Sequence, residues 1–219
     1  GPKMGYFADK ALTYAGKKGL KLYCWRGGMR SESMAWLFEK LGVPCSLLHQ
    51  GYKAYRRHVQ SVFDKPLNII VLGGLTGSGK THVLKQLEQR GEQILDLERW
   101  ARHKGSAFGG LDMPAQFSNE YFENLLEYDL RAKDPSKRIW LEDESQHIGK
   151  NLVPPALFRK MRQAPVIRLD VPFEVRVGRL VKEYAGVPNE CLGRALERIQ
   201  RRLGGARYQD CLKALDRKD

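Results

Sequence analysis

The sequence has little of what builds metal clusters or disulfide frameworks. Its four cysteines, Cys24, Cys45, Cys191 and Cys211, make no CxxC pair. Its five histidines, His49, His58, His82, His103 and His147, make no HExxH pattern. These spacings argue against zinc and iron–sulfur sites, so no protein-held metal site is assigned. Long apolar runs are missing too: no stretch approaches the roughly 20 apolar residues of a membrane span, and no secretory apolar region stands near the start. The expectation is a cytoplasmic protein that does not enter a membrane. Acidic side chains are in deficit, with 25 Asp and Glu against 38 Lys and Arg over 219 residues, a formal charge of +13. Such an excess favours a polyanionic partner, nucleic acid ahead of an anionic membrane. No internal repeat or low-complexity tract interrupts the chain.

What is present begins with "KLYCWRGGMRSES". Leu20, Leu22 and Tyr23 give a short strand signal, and Met34, Leu37, Phe38 and Leu41 recur at helical spacing, so the loop between them joins a strand end to a helix start. Cys24 stands at the mouth of that loop. Gly27 and Gly28 let successive backbone N–H groups turn inward, and the first turn of the helix adds unpaired donors. An anion cradle of this kind lowers a thiol pKa. Cys24 is therefore expected to be a thiolate nucleophile, with Arg26 and Arg30 as charged donors.

A second strand, loop and helix follows. Pro66 precedes the run Leu67, Ile69, Ile70, Val71, Leu72, a buried parallel strand by its composition, and a domain boundary falls just before it. Gly74 through Thr81, "GLTGSGKT", then fits GxxxxGK[ST] between that strand and a helix carrying Val83, Leu84 and Leu87. In such a P-loop the backbone amides of Gly74, Thr76, Gly77, Ser78 and Gly79 cradle a diphosphate, Lys80 reaches the outer phosphates, and the Thr81 hydroxyl suits Mg²⁺ held partly by those phosphates.

The remainder continues in αβ fashion. "QILDLE" reads as a strand ending at Asp96 and Glu98, and "RIWLEDES" as one ending at Glu142, Asp143 and Glu144. Asp143 or Glu144 is the preferred acidic partner of the P-loop. "FSNEYFENLLEYDLRAK" reads as a helix with Phe117, Tyr121, Leu125 and Tyr128 on one side. The basic end reads as an amphipathic helix, Leu192, Leu196, Ile199 and Leu203 on one face and Arg194, Arg198, Arg201 and Arg202 on another. With "RWARHKGS" it forms a plausible phosphate-backbone footprint, and Trp100, Phe108 and Tyr208 are candidates for base stacking. The fold class is α/β: residues 1–62 form one domain and 63–219 a P-loop NTPase-like domain with a mostly parallel sheet.

Together these segments resemble one family. Cys24, Arg26, Gly27, Gly28, Arg30 and Ser31 match a rhodanese active loop, CxRGGxRS, and "GYKAYRR" follows where the rhodanese domain ends. "GGLTGSGKT", "DLERWARHKGSAFG", "FENLL", "LEDESQHIG", "PFEVRVGRLVKEY" and "RRLGGARY" then come in the order found in the bacterial tRNA 2-selenouridine synthases, also described as tRNA 2-thiouridine geranyltransferases. The resemblance implies an enzyme that acts on the wobble 2-thiouridine of the tRNA anticodon stem-loop. Geranyl diphosphate provides an S-geranyl group, and selenophosphate provides the selenium that replaces it, with no tightly bound cofactor. By resemblance Cys24 is the rhodanese cysteine needed for selenation, and Gly74 to Thr81 hold geranyl diphosphate. Two departures stand out. The 23 residues before Cys24 are too few for the first strands and helices of a rhodanese domain, so residues 1–62 are expected to be its C-terminal part. The segment between Tyr184 and "RRLG" is also shorter than is usual.

Three other readings compete. A P-loop kinase or NTPase would use the same cradle for ATP. Cys24 and Arg30 have the CX5R spacing of a phosphatase loop. A tRNA-binding scaffold would use its P-loop only to sense ligand.

Overall fold

The structure is a computed structural model and describes residues 2–16, 18–111 and 113–217. The chain divides into two compact units, Gly1–Val62 and Phe63–Asp219. Among the described residues no helix is long and apolar enough to cross a membrane.

The first unit runs α1 (Pro2–Tyr14), β1 (Leu20–Leu22), α2 (Met29–Lys40), β2 (Cys45–Leu47) and α3, which begins at Gly51 and ends at Asp64. Strands β1 and β2 pair in parallel, Leu20 opposite Cys45 and Leu22 opposite Leu47. Parallel pairing needs a crossover, and α2 supplies it. Ala11, Phe38 and Val43 form its core, with Leu20, Leu22, Met34 and Leu37 packed around them. The sequence reading did not anticipate α1.

The second unit continues with β3 (Ile69–Gly74), α4 (Lys80–Gln89), β4 (Gln93–Ile94), α5 (Leu97–Ala101), α6 (Asn119–Arg131) and β5 (Ile139–Glu142). A hairpin of β6 (His147–Ile148) and β7 (Asn151–Leu152) follows, then α7 (Pro155–Gln163), β8 (Val166–Leu169), α8 (Phe173–Tyr184), α9 (Asn189–Leu203) and α10 (Gly205–Arg217). The sheet order is β4-β5-β3-β8, every pairing parallel. The α/β class and the parallel sheet expected from the sequence are those observed. Strand β3 is central, and its neighbour β5 is buried along its whole length. Leu72, Leu84, Ile94 and Trp140 join β3, α4, β4 and β5 into one core cluster. With Leu72 in register with Glu142, the carboxyl end of β5 lies beside the start of the P-loop.

Two local expectations are corrected. Strand β4 ends at Ile94, and Asp96 instead caps α5 by accepting the Arg99 N–H at 2.8 Å, so Glu98 lies on a helix and not at a strand end. The face of α6 is rotated from the predicted one: Phe122, Leu126 and Leu130 are buried, while Tyr121 and Tyr128 are exposed. Ser118 caps this helix, which leaves Phe117 outside it. The amphipathic aromatics find rim partners instead, Tyr121 edge-on to Phe117 and Tyr128 beneath the Arg131 guanidinium.

Candidate functional site

The Cys24 loop lies between β1 and α2, with Gly28 as the helix N-cap. Its backbone is fastened to the start of α3: Tyr52 N–H donates to the Cys24 carbonyl and Lys53 N–H to the Trp25 carbonyl, both at 2.9 Å. Gly27 and Gly51 make this approach possible. Both have positive φ, and a Cβ on Gly51 would lie 2.3 Å from the Cys24 oxygen and from the Gly27 nitrogen. The Ser31 hydroxyl, on the first turn of α2 and buried, lies 3.4 Å from the Cys24 Sγ. That contact, followed by the backbone N–H groups of Ser31, Arg26 and Gly27, holds the Cys24 thiol below its ordinary pKa against a smaller opposing effect of burial. Arg26 and Arg30 are both exposed. Cys45 shows the contrast: burial pushes its thiol up, and its S–H faces the Val43 carbonyl at 3.5 Å. One cysteine sits in an anion cradle and the other behaves as a small core residue.

The P-loop opens into a cavity of about 650 Å³. Gly74, Thr76, Gly77, Gly79, Lys80 and Thr81 line one wall, whereas Ser78 is buried behind it. Gly79 takes the left-handed conformation at the N-cap of α4 and so turns the chain into the helix. Lys80 Nζ donates to the Gly74 carbonyl at 3.1 Å. The Thr81 hydroxyl donates to Glu142 Oε1 at 2.7 Å and lies 3.5 Å from Glu98 Oε2.

Three carboxylates converge at the base of this cavity. Glu98, Glu142 and Glu144 each bring an oxygen within 4.8 Å of the others. Burial, reinforced by the neighbouring Glu142 and Glu144, pushes Glu98 up to about 8. Burial and then Glu142 push Glu144 up to about 7. Glu142 also rises through burial, opposed by the Thr81 hydrogen bond. An all-oxygen, partly hydroxyl donor set beside a phosphate cradle suits a hard divalent cation such as Mg²⁺, and these carboxylates with Thr81 would hold it. The acidic candidates from the sequence separate here. Asp143 and Glu144 both line the cavity, but Asp143 is exposed and ion-paired with Arg162 whereas Glu144 is buried, and Asp96 serves as a helix cap.

The opposite wall was not anticipated. Lys104, Gly105 and Ser106 line it, so part of "RWARHKGS" belongs to the cavity and not to an outer nucleic-acid footprint. Lys104 pairs with Glu183 of α8 at 2.6 Å. Arg179, also of α8, donates to the Ser78 carbonyl at 2.6 Å, and Arg176 lies 3.3 Å from the Thr76 carbonyl. The sequence signal for the share of α8 in this wall was Arg179 in "VRVGRL", but a cation on a helix face reads first as solvated surface. Of the stacking candidates, Tyr208 is corrected and the other two stay half-buried with partners of their own. Tyr208 is buried, the Trp100 indole N–H is committed to Asp129 at 2.8 Å, and Phe108 packs against Tyr184. On α9, Arg198, Arg201 and Arg202 are exposed as the helical pattern required, with Leu196 buried on the other face.

Comparison with known proteins agrees with this arrangement. Residues 67–218 match the family model described as the tRNA 2-selenouridine synthase AAA domain. The tRNA 2-selenouridine synthase of Bordetella petrii is 37% identical over 220 aligned residues, covering 89% of this chain and 57% of that protein. Those of Salmonella typhi and Pseudomonas putida are each 38% identical, over 90% and 91% of this chain and 58% of theirs. The chain thus spans less than two thirds of the length of these relatives. With a P-loop, its acidic partners and their enclosing wall all inside the matched region, the chain belongs to the tRNA 2-selenouridine synthase family.

Proposed function

We propose that this protein modifies the wobble 2-thiouridine of tRNA in two steps, geranylation from geranyl diphosphate and then replacement of the geranylthio group by selenium from selenophosphate. The observation that carries the reading is the P-loop cavity, whose amides and Lys80 fit a diphosphate and which lies in the segment shared with the family. In the first step the 2-thio sulfur bonds to C1 of the geranyl group. The C1–O bond breaks, diphosphate leaves with the electron pair, and the N3 proton is released. Lys80 and the P-loop amides stabilise the charge that grows on the leaving diphosphate. A divalent cation bound at Thr81 and the carboxylates would neutralise diphosphate charge further.

The second step is assigned to Cys24, in what we read as the rhodanese-like unit. Selenium in selenophosphate is already at the selenide level, so a Cys–S–Se adduct would leave phosphorus reduced. Attack of the thiolate on phosphorus balances instead: the S–P bond forms, the P–Se bond breaks, and selenium leaves with the electron pair. That selenide displaces geranylthiolate at C2, which is released as the thiol, and water returns the S-phosphocysteine to thiol and phosphate. The CX5R spacing of Cys24 and Arg30 and the Ser31 hydroxyl near Sγ support phosphoryl chemistry at this loop. Mass spectrometry of the anticodon nucleoside tests the sequence of steps. Thiolated tRNA should gain the mass of a geranyl group with geranyl diphosphate, then exchange it for selenium with selenophosphate. Unchanged nucleoside at both steps, with protein that binds the tRNA, would overturn the proposal.

A further inference from the structure

Beside Cys24 the structure carries a cluster of aromatic rings that neither step uses. Tyr23 and Trp25 flank the cysteine in sequence and are 64% and 50% exposed. Tyr52, on the first turn of α3, lies between them, with ring centroids 5.8 Å from Tyr23 and 5.6 Å from Trp25, and Tyr55 continues the row at 6.0 Å. The cluster is held by the same backbone bonds that fasten the thiol loop to α3, so its position relative to Cys24 is fixed. Aromatic side chains of this size normally go to a core. Here two of them, the residues just before and just after the reactive thiol in sequence, stand in solvent.

The charge around the cluster points to its occupant. Residues 20–31 and 48–58, which carry the rings, contain no Asp or Glu; they carry Lys21, Arg26, Arg30, Lys53 and Arg57, besides Arg56, which is buried. The unit as a whole has 11 Lys and Arg against three Asp and Glu, so +8 of the chain's +13 lies in its first 62 residues. Flat apolar rings inside a field of cations complement a ligand with flat apolar faces on an anionic backbone, which is single-stranded nucleic acid. We infer that Tyr23, Trp25 and Tyr52 form a stacking platform for unpaired bases of an RNA loop, and that stacking there delivers the target nucleotide to Cys24. The inference rests on the tRNA reading above and gives it a base-contacting surface beside Cys24.

The test compares Trp25→Ala and Trp25→Phe with the parent protein. Binding is measured to an anticodon stem-loop RNA, to a fully paired RNA of equal charge, and to vesicles of anionic phospholipid. Trp25→Ala should weaken stem-loop binding by about fivefold or more, since a base stacked on an aromatic ring contributes roughly 1–3 kcal/mol. Trp25→Phe should restore most of it. Binding to paired RNA and the salt dependence of stem-loop binding should stay unchanged, because no phosphate contact is lost. A melting curve matching the parent's checks folding, and Tyr23→Ala, with an equal expected loss, is an independent second variant. Stem-loop affinity unchanged in both alanine variants would overturn the platform while leaving the tRNA reading intact. Parent protein that binds no stem-loop would overturn both. A loss confined to vesicles, or to S-geranylated RNA alone, would assign the rings to lipid or to the isoprenoid chain and so refute base stacking.

Discussion

The Cys24 loop and the P-loop are two versions of one backbone device. Each follows a parallel strand, turns through glycines in conformations that a side chain strains to adopt, and ends on a helix N-terminus with inward N–H groups. What differs is the atom placed at the centre and the walls around it. The first centres a thiol whose pKa is lowered by Ser31 and by backbone N–H groups, on a surface open enough to leave Trp25 half exposed. The second has no nucleophile, but a lysine, a hydroxyl and three buried carboxylates inside a walled cavity. On the proposed reading the same anion cradle would serve covalent chemistry in one unit and charge stabilisation in the other.

The largest effect expected from breaking this comparison is a crossover of two losses. Cys24→Ser should abolish selenium incorporation and leave geranyl transfer intact. Lys80→Ala should lower geranyl transfer by on the order of 10²-fold or more and spare selenation of RNA supplied already geranylated. Nucleoside mass spectrometry reads both. Variants that lose both steps equally would mean that the two cradles act as one site. Cys45→Ser, Cys191→Ser and Cys211→Ser should retain both steps, since none of these thiols sits in a comparable cradle.

Next in size is the backbone approach that shapes the thiol loop. Gly51→Ala should cost about 1–3 kcal/mol, because a left-handed residue gains a Cβ pressed against backbone atoms of Cys24, Arg26 and Gly27 that cannot move independently. Urea unfolding measures this cost. The alkylation rate of Cys24 should shift to higher pH in the same variant as its N–H donors move away. Gly42→Ala, also at positive φ but with open space around its Cβ, separates conformational strain from the clash: it should be destabilising without changing Cys24 reactivity.

Much of this was legible in the sequence, for reasons specific to each segment. The P-loop was visible because its chemistry is backbone chemistry, which demands glycines, a lysine and a threonine at fixed spacing. The Cys24 loop was visible for the same reason. Helix α9 followed from a clean 3.6-residue pattern. The buried face of α6 did not, although the helix itself did, because its tyrosines satisfy an apolar pattern on paper while their hydroxyls favour the rim. Nor could a pattern sort the acidic residues. Asp96, Asp143 and Glu144 look equivalent as letters, and only packing shows one as a helix cap, one as an exposed ion pair at the cavity and one as a buried carboxylate inside it. The aromatic cluster was hidden because two of its rings, Tyr23 and Trp25, flank the thiol and two, Tyr52 and Tyr55, come from α3, where the Gly27–Gly51 approach brings them together.

The carboxylates sharpen the contrast through pH. An acid whose folded pKa lies above its unfolded value stabilises the fold below the unfolded pKa, and that stabilisation is lost as pH rises through the folded value. With Glu98 pushed up to about 8 and Glu144 to about 7, the P-loop unit should be most stable near pH 5 and weaken progressively towards pH 8 when no divalent cation is present. Thermal melting across that range should show the decline, and Glu98→Gln should flatten it. Mg²⁺ should raise the melting temperature more at pH 8 than at pH 6, because the cation competes with protons for the same oxygens. A melting temperature that climbs from pH 5 to 8 without cation would show that the carboxylates are not buried together as described.

The smallest expected effect concerns the basic face of α9, the part of the P-loop unit to compare with the aromatic surface of the first unit. Arg201 and Arg202 are exposed, and on the proposed reading they would contribute charge alone to tRNA binding. Each phosphate neutralised changes the slope of log affinity against log salt by about 0.7–0.9. At 0.15 M salt, loss of one such contact therefore costs less than about fivefold. Arg201→Ala and Arg202→Ala should each weaken all tRNAs alike, with a shallower salt slope. Trp25→Ala, by contrast, should leave the slope unchanged and weaken only RNAs with an open loop. Salt titrations of the three variants against one stem-loop and one paired RNA distinguish the two surfaces. If the arginine variants discriminated among loop sequences, α9 would be reading bases, and the division between a charge-holding face and a base-stacking face would fail.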